Sequence, residues 1–339
     1  MNDFTQLLED LDGLLVTHPA NVRYLSGFPH AEDAWLWLDA GGPLLLASPL
    51  YQNDLEAAGL PHLLGRPEAW PRLLAGRARG RVGFEADRLP YATARRLGEA
   101  LPGAELVPTQ GRVEALRVRK RPEEVERIRR AMAIAREAYL EARPRVRPGV
   151  PEIEVAAWLE CGMRQRGAEG RAFPTIVASG ENGAFPHAGA GPKALAEGEL
   201  VTLDFGARHA GYHSDVTRTL ALGEVPPQRR RLLTAVEAAL EAAMARLGPG
   251  VPLAEPDRAA RAVLEAEGLL AHYPHALGHG VGLEVHEAPR LSHRSPGVLE
   301  PGMVVTVEPG VYVPGLGGAR VEELVWITEE GYQVLSDGM

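Results

Sequence analysis

Two aspartates and two glutamates sit on stretches of this sequence that are otherwise apolar. In Leu200–Gly206, Val201, Leu203 and Phe205 alternate with Thr202, Asp204 and Gly206, the period of a half-buried strand. Arg208 to Gly211 reads as a turn, after which the chain returns through His213, Ser214, Asp215 and Val216. A turn centred on His209-Ala210 sets Asp204 opposite Asp215, with Cβ atoms about 5 Å apart on one face. Carboxylates that close repel unless a proton or a cation lies between them. A slipped register would instead leave both in solvent. Met303–Pro309 and Arg320–Trp326 alternate in the same way on either side of Pro314–Gly318. A turn centred on Gly315 places Glu308 opposite Glu322, although the long glycine-rich loop leaves that register open.

Three of the 11 histidines, His275, His279 and His286, fall within Pro274–His286. Gly278, Gly280 and Gly282 in the same run argue against a helix and for a backbone that approaches something closely. A lone histidine is usually structural or solvated. Four carboxylates beside a histidine cluster, with no thiolate, suit two divalent ions of the manganese, cobalt or zinc type. His187, in Phe185-Pro186-His187-Ala188, is a further candidate.

These residues need a scaffold, and the chain offers two. Residues 1–115 alternate short apolar runs (Gly13–Thr17, Pro43–Ala47, Arg81–Phe84) with helical stretches such as Asp87–Leu101, which predicts a small α/β domain. Nothing there forms a phosphate loop or a dinucleotide fingerprint. A boundary follows, and residues 116–339 read as α+β. Pro122, with Glu123 and Glu124 behind it, opens a helix whose Val125, Ile128, Met132 and Ala135 form one stripe. Helices near 122–143 and 151–167 precede a hairpin near 199–221. Helices near 227–247 and 255–267 precede strands near 282–328. Two copies of this plan would pack as sheet with helices on one face.

Composition narrows the function classes. The chain has 339 residues, 45% hydrophobic and 24% charged, as in an ordinary globular protein. A net charge of −9 argues against a nucleic-acid surface, and no apolar run reaches the roughly 20 residues of a membrane span. Cys161 is the single cysteine, which forbids an intrachain disulfide and a cysteine zinc cluster. Met1-Asn2-Asp3-Phe4 has no basic head before an apolar stretch. No signal peptide is therefore expected, and a cytoplasmic location is the default expectation.

Asp204, Asp215, His279, Glu308 and Glu322 together resemble the five-ligand set of the pita-bread metallopeptidases, which include methionine aminopeptidases, aminopeptidase P, prolidases and creatinase. Phe173–Gly180 with Pro186-His187, and Asn21–Phe28 in the N-terminal region, resemble its Xaa-Pro branch. The resemblance implies a creatinase-like domain over 1–115 and a pita-bread catalytic domain over 116–339. It implies that Asp215 and Glu322 bridge two metals, with Asp204 completing one and His279 and Glu308 the other. His187 and His286 match histidines beside the substrate, His275 matches one typical of the Xaa-Pro branch, and Arg320 an arginine near the site. One departure is Glu323, where the family commonly has aspartate.

The implied activity is hydrolysis of the bond between an N-terminal residue and proline, in dipeptides or longer peptides. Glu308 would shuttle the water's proton and His187 or His286 would donate to the oxyanion. A homodimer is the implied assembly. The short chain tilts the reading toward a dipeptidase. The alternatives are an aminopeptidase acting on longer peptides, or a binding protein that kept the fold without catalysis.

Overall fold

The computed structural model describes residues 4–339, so the leader reading made at Met1-Asn2-Asp3 lies outside the described residues. The chain forms one compact unit up to Arg117 and a second from Val118.

Among the described residues, six strands make the sheet of the first unit. Their order is His62–Leu64, Gly42–Ala47, Ala34–Asp39, Gly13–Val16, Gly80–Glu85 and Ala104–Thr109. Gly13–Val16 is buried throughout because successive side chains serve opposite faces. Leu14 and Val16 pack with Val22, Phe28 and Leu36. Leu15 packs with Trp37, Leu46 and Val82. The Asn21–Phe28 motif is a helix end and its cap. Pro19–Ser26 stops where Gly27 takes φ 72°, and Ser26 Oγ both donates to Val22 O (2.6 Å) and accepts from Phe28 N (3.1 Å). Asn21 is fully buried. Its Nδ2 donates to Glu85 (2.6 Å) and Glu114 (2.8 Å), and its Oδ1 accepts from Arg117 (2.7 Å). The motif is a hub of its own unit.

The second unit repeats one plan. Helices Pro122–Ala142 and Glu152–Gln165 pack together, and the antiparallel strands Ile176–Ser179, Leu200–Phe205 and Val216–Ala221 follow. Helices Pro227–Met244 and Glu255–Ala266 pack together in turn. After them, among the described residues, comes a five-stranded sheet in the order Glu287–Leu291, Gly278–Gly280, Val304–Val307, Glu323–Ile327, Tyr332–Val334. A two-stranded ribbon, Gly310–Val313 with Gly317–Arg320, extends its central hairpin. Val125, Ile128, Met132 and Ala135 are all buried, as their spacing requires. No helix among the described residues is long and apolar enough to cross a membrane.

Two sequence expectations need correction. Leu200–Phe205 is buried at every residue rather than half-buried, because it is the middle strand of its sheet. The first hairpin pairs Asp204 with Thr217, not with Asp215. Its turn is centred on Ala210-Gly211, whose φ angles of 50° and 82° are both positive. That is the primed turn that matches strand twist, and Gly211 supplies half of it without steric cost.

Candidate active site

The four acids converge because two hairpins meet edge to edge. Glu322 N donates to Thr217 O (3.1 Å) and Thr219 Oγ1 to Arg320 O (2.7 Å), so the first hairpin is tied to the return strand of the second. In that second hairpin the Val307–Glu323 and Gly310–Arg320 pairs keep a single register, the one centred on Gly315. Glu308 and Glu322 occupy the gap between the two ladders, where the backbone leaves one sheet and enters the next.

One cavity of about 890 Å³ gathers the candidate metal and substrate residues of the sequence: Asp204, Asp215, His279, Glu308 and Glu322, with His187, His275, His286 and Arg320. Ligand oxygens of Asp204, Asp215 and Glu322 lie within 4.8 Å of one another, as do ligand atoms of Asp215, His279 and His286. His279 Nε2 is 3.1 Å from Glu308 Oε1 and 3.7 Å from Asp215 Oδ2. Its Nδ1 lies 3.1 Å from Gly280 O, and a carbonyl only accepts, so Nδ1 carries the proton and Nε2 faces the acids. His286 meets His279 edge to face at 4.3 Å.

The glycines of the histidine strand do approach something closely, and it is neighbouring backbone. A Cβ on Gly278 would lie 2.0 Å from Thr306 O, and one on Gly280 2.2 Å from Ala288 O.

Burial and crowding set the charges. Burial first, then the neighbouring carboxylates, push Asp215 and Glu322 well above the ordinary carboxylate range. Asp204 is also raised by burial, against the Arg320 guanidinium. Glu308 is pushed up by burial too, but the hydrogen bond and charge of His279 outweigh this and hold it at about 2. Burial disfavours the His279 cation, yet the Glu308 carboxylate raises it overall. His275 and His286 are lowered chiefly by burial and stay neutral near pH 7.

These residues fit a metal. Asp204 Oδ1 and Glu322 Oε1 are buried without a hydrogen-bond partner. Orphaned anionic oxygens among other anions call for protons or cations. The donors are carboxylate oxygen and imidazole nitrogen, which suit divalent manganese, cobalt or zinc.

The pattern of metallopeptidase family M24 matches residues 126–329, and that of the Creatinase/Prolidase N-terminal domain matches residues 8–119. The chain belongs to metallopeptidase family M24. Its fold is accordingly a creatinase-type N-terminal domain followed by the pita-bread catalytic domain. The chain is 36% identical to a Xaa-Pro dipeptidase of Pyrococcus furiosus, over 96% of this chain and 93% of the relative. Among solved structures it resembles a Xaa-Pro dipeptidase from Bacillus anthracis (TM-score 0.92, 36% identity, 97% of this chain and 93% of that one). It also resembles an X-Pro aminopeptidase from Thermotoga maritima (TM-score 0.88, 31% identity, 96% and 95%).

Beside Arg320 and the acids lie groups that sequence reasoning passed over: Tyr312, Thr217 and Thr306. Arg320 donates from Nη2 to Asp204 Oδ2 (2.6 Å), from Nη1 to Tyr312 Oη (2.6 Å) and from Nε to Thr217 Oγ1 (3.2 Å). Tyr312 in turn lies 3.0 Å from His275 Nε2, and burial pushes its hydroxyl up to about 12. Thr217 donates to Glu322 (2.8 Å) and Thr306 to Glu308 (3.1 Å). The signal for Tyr312 was its period-two spacing from Glu308 through Gly310. A Cβ on Gly310 would lie 2.6 Å from the Tyr312 hydroxyl, so the glycine makes the room. Glu323 is no part of the acid cluster; it pairs with Arg218 at 3.0 Å.

Proposed function

We propose that this M24 peptidase hydrolyses the bond between an N-terminal residue and proline, with a preference for Xaa-Pro dipeptides, at two divalent ions. The observation that carries the reading is the convergence of Asp204, Asp215, His279, Glu308 and Glu322 in one cavity with His187, His275 and His286. The names of the similar Xaa-Pro dipeptidases support it. Asp215 and Glu322 would bridge the ions, Asp204 would complete one, and His279 with Glu308 the other. Manganese, cobalt or zinc would supply Lewis-acid chemistry and an acidified water near neutral pH.

The chain's own residues supply the rest. Glu308, held ionised, accepts the attacking water's proton and passes it to the leaving amine. His286 is neutral near pH 7 and donates an N–H to the developing oxyanion, with His187 beside the same cavity. The Xaa-Pro bond is a tertiary amide without an N–H, so recognition falls on the ring. Phe173, Pro174, Ile176 and Val285 give the cavity apolar wall for it. Arg290, which lines the same cavity, would offer a cation to a dipeptide's free carboxylate.

His275→Ala is expected to keep both ions and lose about 10–100-fold in kcat/KM on Xaa-Pro, the scale of a hydrogen bond to a charged or well-placed group. Elemental analysis beside kinetics checks this; loss of metal would make His275 a ligand instead.

A homodimer in which one N-terminal domain closes the partner's cleft would exclude a third residue. Overpacking on that scale costs about 1–3 kcal/mol, so Xaa-Pro-Yaa should react roughly tenfold or more slowly than Xaa-Pro. Kinetics on both substrate lengths, with mass measurement in solution, tests this. Equal or faster rates on the longer peptide would favour the aminopeptidase reading, which the likeness to the Thermotoga maritima X-Pro aminopeptidase keeps in view.

A further inference from the structure

We infer that two buried carboxylates outside the acid cluster, Glu152 and Asp257, are positioning residues that set the loops carrying His187 and His275. Each lies in the first turn of the second helix of its pair, and each is fully buried. The same device serves each half of the catalytic unit.

Glu152 gathers the two ends of the segment that holds His187. Its Oε1 accepts from Ser179 N (2.8 Å) and Ser179 Oγ (2.7 Å) on one side. Its Oε2 accepts from Gly191 N (3.4 Å) on the other. Asn182 Nδ2 donates to both oxygens, at 3.2 and 3.1 Å. The residues between have no long helix or strand to stiffen them, only a short 3₁₀ turn over Gly180–Ala184. Each donor satisfies a buried oxygen that would otherwise be left unpaired, so the anchor holds the loop in one place.

Asp257 does the same for His275. Its Oδ2 accepts from Arg261 Nε (2.9 Å), His293 N (2.7 Å) and His293 Nδ1 (3.0 Å), and its Oδ1 from the Tyr273 hydroxyl (3.2 Å). Arg261 then reaches past it: Nη2 donates to His275 O (2.9 Å) while the guanidinium lies 4.6 Å over the Tyr273 ring. His275 is thereby held on both sides, by this cluster at its backbone and by Tyr312 at its ring. A histidine already in place loses less freedom when substrate arrives.

The catalytic part of this inference rests on the proposed peptidase reading; the structural part does not. Asp257→Asn and Glu152→Gln strike the anchors directly. Because both are fully buried, Arg261→Met and Asn182→Ala are the companion variants, each removing an outer partner only. Hydrogen exchange needs no substrate and is read first. Arg261→Met should speed exchange across residues 273–277 and Asn182→Ala across 180–191, each leaving the other loop unchanged. Unchanged exchange in both loops would overturn the positioning role, whatever the enzyme cleaves.

Kinetics then separates positioning from mere stability. On an Xaa-Pro dipeptide, Arg261→Met should raise KM about tenfold and Asn182→Ala should lower kcat about tenfold, the size of one hydrogen bond's worth. Metal content should stay unchanged, and Arg261→Lys should restore KM. Arg261→Met should add nothing on a His275→Ala background. A fully additive double variant would overturn the claim that Arg261 acts through His275. A wild-type protein inert on every Xaa-Pro dipeptide would refute the peptidase reading alone, and exchange would still decide the positioning role.

Discussion

Asp215→Asn and Glu322→Gln are each expected to abolish hydrolysis and to empty the metal site while leaving a folded protein. Both side chains are buried in contact with other carboxylates, and the proposed ligation makes each a shared ligand. Loss of one charge there unbalances two cations. The drop in metal affinity should exceed the roughly 10–100-fold that a lost supporting group costs. Chelated protein should behave in the opposite way. There the folded-state values of Asp215 and Glu322 lie well above their ordinary 3.8 and 4.5. Their contribution to stability is therefore fully present below those ordinary values and is lost as pH rises through the folded ones. Compared with either variant, chelated wild type should lose ground steadily as pH climbs from about 4, and the variant should melt higher at pH 8. Elemental analysis and thermal melts with and without chelator check both halves. Two full metals in either variant would sink the bridging assignment.

How much of this site could be read from the sequence depended on the turns. In the second hairpin the run of glycines left the register open between neighbouring centres, and the structure takes the one centred on Gly315, at φ 74°. In the first hairpin the positive φ of Ala210 leaves no trace in residue type, and only Gly211 signals the true centre. The error moved Asp204's partner by two residues, from Asp215 to Thr217, and a shift of two keeps every side chain on its face. The acids therefore still meet. Tyr312 was missed although its spacing from Glu308 marked it. Glu152 and Asp257 could not be found at all, because their partners come from loops far away in the chain, and only tertiary packing brings those together.

Arg320→Met is expected to be the most damaging single change that spares the proposed ligands. The guanidinium is buried with Asp204 at 2.6 Å and also serves Tyr312 and Thr217. Removing one partner of a buried ion pair costs about 3–5 kcal/mol, because the remaining charge is left without compensation. For a unit of this size that corresponds to roughly 6–20 °C in melting temperature. Asp204 will relieve part of the cost by taking up a proton, so metal and protons should compete more strongly in the variant. Added metal should recover part of the lost stability, and hydrolysis should fall at least about 100-fold through the misplaced Asp204 and Tyr312. Calorimetry with and without metal checks this. A variant as stable as wild type in both states would show that Asp204 does not depend on Arg320.

The strand that presents His279 also limits how this protein can change. His279 is flanked by two glycines at which a single methyl group would run into backbone oxygens at 2.0 and 2.2 Å. The obstruction is main chain, which cannot rotate aside as a side chain can. Every one-step mutational path through Gly278 or Gly280 therefore collides with a neighbouring strand before it can move His279. Phe173–Ile176, Pro186-His187 and Val285–Glu287 line the same cavity with side chains and not with glycines pressed against main chain. Variation in substrate preference, whether by natural drift or by laboratory selection, is channelled into those segments, while the histidine strand stays closed to it.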